Sequence, residues 1–295
     1  MIHLIDLKFQ GIDHAIGAYL IETSDGPFLI ETGPHSTYAT LEAGIQKAGF
    51  STSDIKHVFL SHIHLDHAGS AWVFAEMGAR IYLHPFGSSN MEDPSRLMAS
   101  ATRIYGDAMD RLWGKMQKIP ASQLVSAQDG AVFSVGDQSL KAHYTPGHAV
   151  HHIAWQLGEV VFTGDVAGVK VNGGPVVAPC PPPDINIEDW KASIQLLRDL
   201  NPQSLYLTHF DRVDNVASHL SQLEAMLDDW AQWMRVKWEA GMSKEEITPL
   251  FMDYTADQLR QQGVDEAGIK VYEAANPSWM SVAGLMRYWK KKSEA

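Results

Sequence analysis

Six residues, His62-Ile-His64-Leu-Asp66-His67, hold four side chains of the metal-ligand type, and the apolar run His57–Leu60 leads into them. Side chains just past the end of a strand are free to converge, because the backbone there has left its ladder. His62 and His64 are two positions apart, so an extended turn points them the same way. Asp66 and His67 then open the next helix and face a neighbouring point. Imidazole nitrogen and carboxylate oxygen suit zinc, iron or manganese, and the affinity order of the metals does not choose among them. Three more strand ends carry one donor each: Thr145-Pro-Gly-His148, Phe162-Thr-Gly-Asp165 and Leu207-Thr-His209. Strand ends are where open α/β sheets gather their ligands.

Strand-type runs stand at His3–Phe9, Ala15–Glu22, Phe28–Glu31, His57–Leu60, Arg80–Leu83, Leu140–Tyr144, His152–Leu157, Val160–Thr163 and Ser204–Thr208. Helical patterns lie between them at Ser36–Ala48, Ala68–Met77 and Ile187–Leu200. The mixture predicts layered α/β packing. From Pro94 to Lys118, Leu97, Ala101, Ile104, Tyr105, Ala108, Leu112, Trp113 and Met116 make one helical stripe. It is expected to pack on the core; a sharper reading makes it a Met- and aromatic-rich wall over the site. From about Asp214 the chain turns helical, with Val216, Leu220, Leu223, Leu227, Trp230 and Met234 at helix spacing. Ser243-Lys-Glu-Glu246 has the form of a capping box, and a last amphipathic stretch follows Asn276. The reading is a body over 1–213, with an insertion at about 94–118, and a helical subdomain over 214–295. Pro175–Pro183 reads as a long loop.

Composition narrows the partners. The formal net charge of −12 over 295 residues argues against a nucleic-acid surface, which needs a concentrated basic patch. It gives no attraction to anionic membranes either, and no apolar run is long enough to span a bilayer. A lone cysteine, Cys180, allows no intramolecular disulfide and fits a reducing compartment. The first ten residues lack the basic and apolar regions of a signal peptide, so cytoplasmic residence is expected. The sequence does not state an oligomeric state.

Taken together, the motifs closely resemble the metallo-β-lactamase superfamily over residues 1–210. Its His-X-His-X-Asp-His motif stands here as His62, His64, Asp66 and His67, and its later motifs fall at His148, Asp165 and His209. The resemblance implies a four-layer αβ/βα sandwich: two mixed sheets packed together with helices outside. It also implies two divalent metal ions, zinc foremost, with iron or manganese as alternatives. His62, His64 and His148 would hold the first ion, Asp66, His67 and His209 the second, and Asp165 would bridge them. Each ion would keep an open position, as catalytic sites do. Asp66 would also orient the nucleophile or pass a proton to the leaving group. The implied chemistry is hydrolysis by water that two cations about 3.5–4 Å apart make acidic.

Glu31, in Glu31-Thr-Gly33, stands where the family usually has Asp, and is read with His152 as support behind the ligands. His151 stands where the family usually has Gly. His35, His84 and His143 are read as ordinary polar residues, His35 beside a loop that rims such pockets. Cys180 is read as a loop residue and not a nucleophile.

The expected substrate is a small molecule. Thioester or ester hydrolysis of the glyoxalase II kind comes first, although the tail shows no basic cluster for glutathione. Lactone hydrolysis follows; similar lactonases carry a Tyr where this chain has Gly168. Phosphodiester hydrolysis is a third use of the same site. Readings from other classes are a single-iron persulfide dioxygenase and a sensor that keeps the site without turnover.

Overall fold

The computed structural model describes residues 1–294. The first sheet is built in order from β1 (Ile2–Asp6), β2 (Gly17–Ile21), β3 (Phe28–Ile30), β4 (His57–Phe59), β5 (Arg80–Leu83) and β6 (Leu124–Ser126). The first three are antiparallel, and β3 to β6 run parallel. The second sheet is made by β7 (Val132–Val135), β8 (Gln138–Tyr144), β9 (Ile153–Leu157), β10 (Val160–Gly164), β11 (Ser204–Leu207) and β12 (Asp211–Val213), again side by side in chain order. Here β10 and β11 are parallel and the other neighbours antiparallel.

Period-two alternation explains why so many strands are apolar throughout. In β2, Tyr19 and Ile21 face the second sheet while Ala18 and Leu20 face helices. Phe59 against Val58, and Phe162 against Val161, divide the same way. Between the sheets, Phe59 meets Trp155 edge-on at 5.1 Å and Tyr19 meets Phe162 at 5.1 Å. The Trp155 indole N–H donates to Leu60 O at 3.0 Å, tying the second sheet to the chain just before His62.

Outside the first sheet lie α1 (Tyr38–Lys47), α2 (Leu65–Ala68) and α3 (Ala71–Glu76), followed in the chain by α4 (Pro85–Glu92), α5 (Ser95–Tyr105) and α6 (Met109–Leu112). α7 (Ile187–Leu200) buries Trp190, Ile194 and Leu197 on the second sheet's outer side. α8 (Val216–Glu239), α9 (Lys244–Gln261), α10 (Glu266–Ala275) and α11 (Ser278–Glu294) form the tail, and their buried residues join the same apolar cluster as α7. The capping box at Ser243 and Glu246 starts α9. Among the described residues, no helix is long and apolar enough to cross a membrane.

One expectation needs correcting. The stripe over Pro94–Lys118 is not one helix. α5 ends at Tyr105, Gly106 turns the chain with φ 52°, a 3-10 turn leads into the single turn of α6, and residues 113–118 are irregular. The helical spacing persists because both pieces cover one patch, with Ala101 and Met109 buried against Leu65.

Candidate metal centre

The donors named from the motifs stand in the turns that follow strands or, for Asp66 and His67, on the short helix after one, and the two sheets bring those ends together. β4 leads to His62 and His64; α2 then carries Asp66 and His67. β8, β10 and β11 lead to His148, Asp165 and His209. Ile153 N–H donates to Ser61 O at 2.7 Å and fixes the His62 turn from the opposite sheet. Glycines allow the close approach of two of the other three turns. Gly147 has φ +130°, and a Cβ on it would lie 2.3 Å from Trp190 Cα. Gly164 has φ +49°, and its Cβ would lie 2.4 Å from Ser61 Oγ.

His62 Nε2 lies 2.8 Å from His64 Nδ1, which lies 3.0 Å from His148 Nε2. Asp66 Oδ2 lies 3.8 Å from His67 Nε2 and 3.5 Å from His209 Nε2. Asp165 stands between: Oδ2 is 3.3 Å from His148 Nε2, while Oδ1 is 3.3 Å from His67 Nε2 and 3.4 Å from His209 Nε2. His62, His64 and His148 form one donor group able to hold an ion, and Asp66, His67 and His209 form another.

The residues fit a cation on three counts. Burial, then the neighbouring imidazoles, push the His62 and His64 pKa values well below the usual histidine range, so both are neutral donors. The buried His67 Nε2 and Asp165 Oδ1 have no hydrogen-bond partner, a costly state unless something else satisfies them. The remote ring nitrogens of three ligands are also engaged. His148 Nδ1–H donates to Pro179 O and His209 Nδ1–H to Ala15 O, both at 2.8 Å, and His62 Nδ1 is 2.9 Å from Ser61 Oγ. The two carbonyls fix Nδ1 as a protonated nitrogen of His148 and His209 and so aim Nε2 inward, while Ser61 Oγ orients the His62 ring.

Charge is unevenly shared. Burial would raise the Asp66 carboxyl, but the His67 charge and the His209 hydrogen bond outweigh it and hold it at about 2. Burial would lower His67, but Asp165, Asp66 and Glu31 outweigh it and raise it well above the usual range. A cation entering this side therefore displaces a proton.

Glu31 Oε1 is 3.2 Å from His67 Nδ1, where it can accept that ring's N–H. Its backbone has φ 64°, a strained conformation of the sort stored at functional sites. Glu31→Ala is expected to weaken metal binding on the His67 side by about 10–100-fold, with fold unchanged by circular dichroism. Competition against a chelator measures this, and unchanged binding would reject the supporting role. His152 does not point into either donor group: its Nε2 accepts from Asp165 N–H at 3.1 Å and its Nδ1–H donates to Thr145 Oγ1 at 2.8 Å. It holds the Asp165 backbone.

Ser61, Thr145 and the carbonyls of Ala15 and Pro179 escaped the sequence reading, because hydroxyls and backbone oxygens carry no spacing signal. His151 is buried with Nδ1 unpartnered, its ring 5.8 Å from that of His64; burial, then His148, push its pKa down to about 3. His35 lies apart, its Nδ1 accepting from Lys115 N–H at 3.3 Å. His84 accepts from Phe86 N–H at 3.3 Å as the cap of α4, and His143 bonds Gln156 at 2.8 Å. Cys180 is buried among apolar groups, which pushes its thiol pKa up and away from thiolate chemistry.

Two mixed sheets with histidine and aspartate clusters at their adjoining strand ends define an α/β sandwich with donor groups able to hold metal. The profile of the metallo-beta-lactamase superfamily matches residues 13–209, and the chain belongs to that superfamily. It is 28% identical over 197 residues to the metallo-beta-lactamase fold-containing protein ST1585 of Sulfurisphaera tokodaii, covering 62% of this chain and 73% of that one. It is 28% identical over 222 residues to thioesterase pkgB of Emericella nidulans, covering 73% of this chain and 52% of the relative. An atrochrysone carboxyl ACP thioesterase of Pseudocercospora fijiensis is 21% identical over 255 residues, 82% of this chain and 65% of the relative. The chain thus spans between half and two thirds of the length of these two thioesterases. In fold, the metallo-beta-lactamase family protein TTHA1429 from Thermus thermophilus is similar with TM-score 0.67 at 20% identity, covering 99% of this chain and 94% of that one. The crystal structure of ST1585 gives 0.65 at 18% identity, covering 96% and 97%.

Proposed function

We propose that the protein hydrolyses thioester or ester bonds of small acyl compounds with two divalent ions, zinc foremost, at this centre. The observation that carries the reading is Asp165, whose two oxygens face different donor groups as a bridging carboxylate would. His62, His64 and His148 would hold one ion, Asp66, His67 and His209 the other. Bound there, the pair would supply acidified water and polarise the carbonyl. The chain's own groups place the reactants. Asp66 is 22% exposed, so its carboxylate meets entering water. Held ionised, it accepts a hydrogen bond from that water and orients it, a role distinct from protonating the leaving group.

The acyl side is apolar. Leu65 and Met109 with the partly buried Met98, Tyr105, Trp113 and Met116 make a cluster next to Asp66. Tyr105 meets Trp113 at 5.1 Å and Trp279 of α11 at 5.9 Å. Soft sulfur and aromatic surface of this kind accepts an apolar acyl chain. The thioesterase names of two relatives agree with the bond type. The setting proposed is the cytoplasm, where a single buried thiol stays reduced.

Metal analysis with an acyl-thioester assay tests the reading. Two zinc-type ions per chain are expected, with turnover lost on chelation and restored by zinc. One iron per chain without thioester turnover would favour the dioxygenase reading and overturn this one.

A further inference from the structure

We infer that the C-terminal helix α11 is a positioning element for the ion on the His148 side, which rests on the metal-centre reading above. The chain of contacts is short. His148 is oriented by Pro179 O, which accepts its Nδ1–H at 2.8 Å. Pro179 belongs to an irregular loop whose only ladder contact is the bridge between Val177 and Val169. Both neighbours of Pro179 are tied to the tail. Cys180 N–H donates to Ser281 Oγ at 3.2 Å, and Asn276 Nδ2–H donates to Ala178 O at 3.4 Å. Gly284, one turn past Ser281, lies so near that a Cβ on it would be 2.0 Å from Cys180 O. Ser281 and Cys180 are fully buried and Asn276 nearly so, so water does not replace these bonds.

The peptide units on either side of Pro179 are thus anchored, and the backbone of α11 sets their height. A ligating histidine depends on the acceptor behind it for its tautomer and ring angle, and loss of that acceptor costs about 10–100-fold in metal affinity. Here the acceptor is a carbonyl, which no point mutation can delete, so its position is controlled by what grips the loop. Ser281, Asn276 and Gly284 act through Pro179 and touch no reacting atom.

The test uses the full chain in a His209→Ala background, which cripples the Asp66 side and leaves one ion to measure. Ser281→Ala removes one hydrogen bond, and Gly284→Ala forces the loop away. Each is expected to weaken zinc about tenfold in chelator competition and to alter the cobalt absorption spectrum. In a His148→Ala background the same changes leave the remaining ion unaffected. Should Gly284→Ala fail to fold, Ser281→Ala and Asn276→Ala decide. Zinc constants equal to the parent's in these variants overturn the inference alone. A wild-type chain that binds no ion overturns it together with the proposed function.

Discussion

Replacing Asp165 with asparagine is expected to lower metal content from the proposed two ions per chain to one or none. Catalytic efficiency on a thioester is expected to fall by more than the roughly 100-fold that loss of a supporting partner costs. The amide has the shape of the carboxylate, so packing is kept and charge is lost. In the native chain Asp165 Oδ1 and Oδ2 are each 3.3 Å from a histidine nitrogen on a different side of the centre. An amide offers one oxygen and one NH2, so one of those sides gains a donor where a cation needs an acceptor. Asp165 ionises far below the usual carboxylate range because the charges of His67, His209 and His148 outweigh the effect of burial. Its negative charge is therefore present throughout the working range. Metal analysis, circular dichroism and thioester kinetics on the same sample check the prediction. A folded Asp165→Asn chain with two ions and native turnover would dismiss the bridging role.

Gly147→Ala is expected to cost about 2–5 kcal/mol of folding stability, the sum of two separate penalties. The backbone at Gly147 has φ +130°, open to glycine and strained for any side chain. The added methyl would also lie 2.3 Å from Trp190 Cα and Cβ. Trp190 has no room to yield: it is fully buried in α7, and its indole N–H donates to Val166 O at 2.8 Å. Denaturant unfolding with and without zinc measures the loss. A shift below about 0.5 kcal/mol, as an ordinary surface change gives, would show that the turn before His148 is more pliable than its geometry states.

The donor set was legible because its chemistry and its strand ends coincide in the sequence. His62 through His67 form one dense run, and the other donors each follow a β-type stretch. Long two-faced strands were equally legible, since β2 and β10 are apolar on both sides. Three strands were not. Leu124–Ser126 is three residues long, Val132–Val135 is a half-exposed edge, and Asp211–Val213 carries two charges. Pairing with a neighbour makes them strands, and pairing is not local. The insertion misled for a related reason: periodicity reports which side of a segment is covered, and it survived the break at Gly106. Nor could spacing reveal that Pro179, in a proline-rich loop, supplies a carbonyl to His148, or that α11 grips that loop from far along the chain.

The donors are divided between the halves of the molecule. His62, His64, Asp66 and His67 follow the first sheet, and His148, Asp165 and His209 follow the second. Neither half offers a complete set for either ion. A nascent chain that has finished only its N-terminal half carries four donors with nothing opposite them, and a chain whose sheets part loses its reactivity with its shape. If the centre works as proposed, hydrolytic power is thus withheld until the last strands dock.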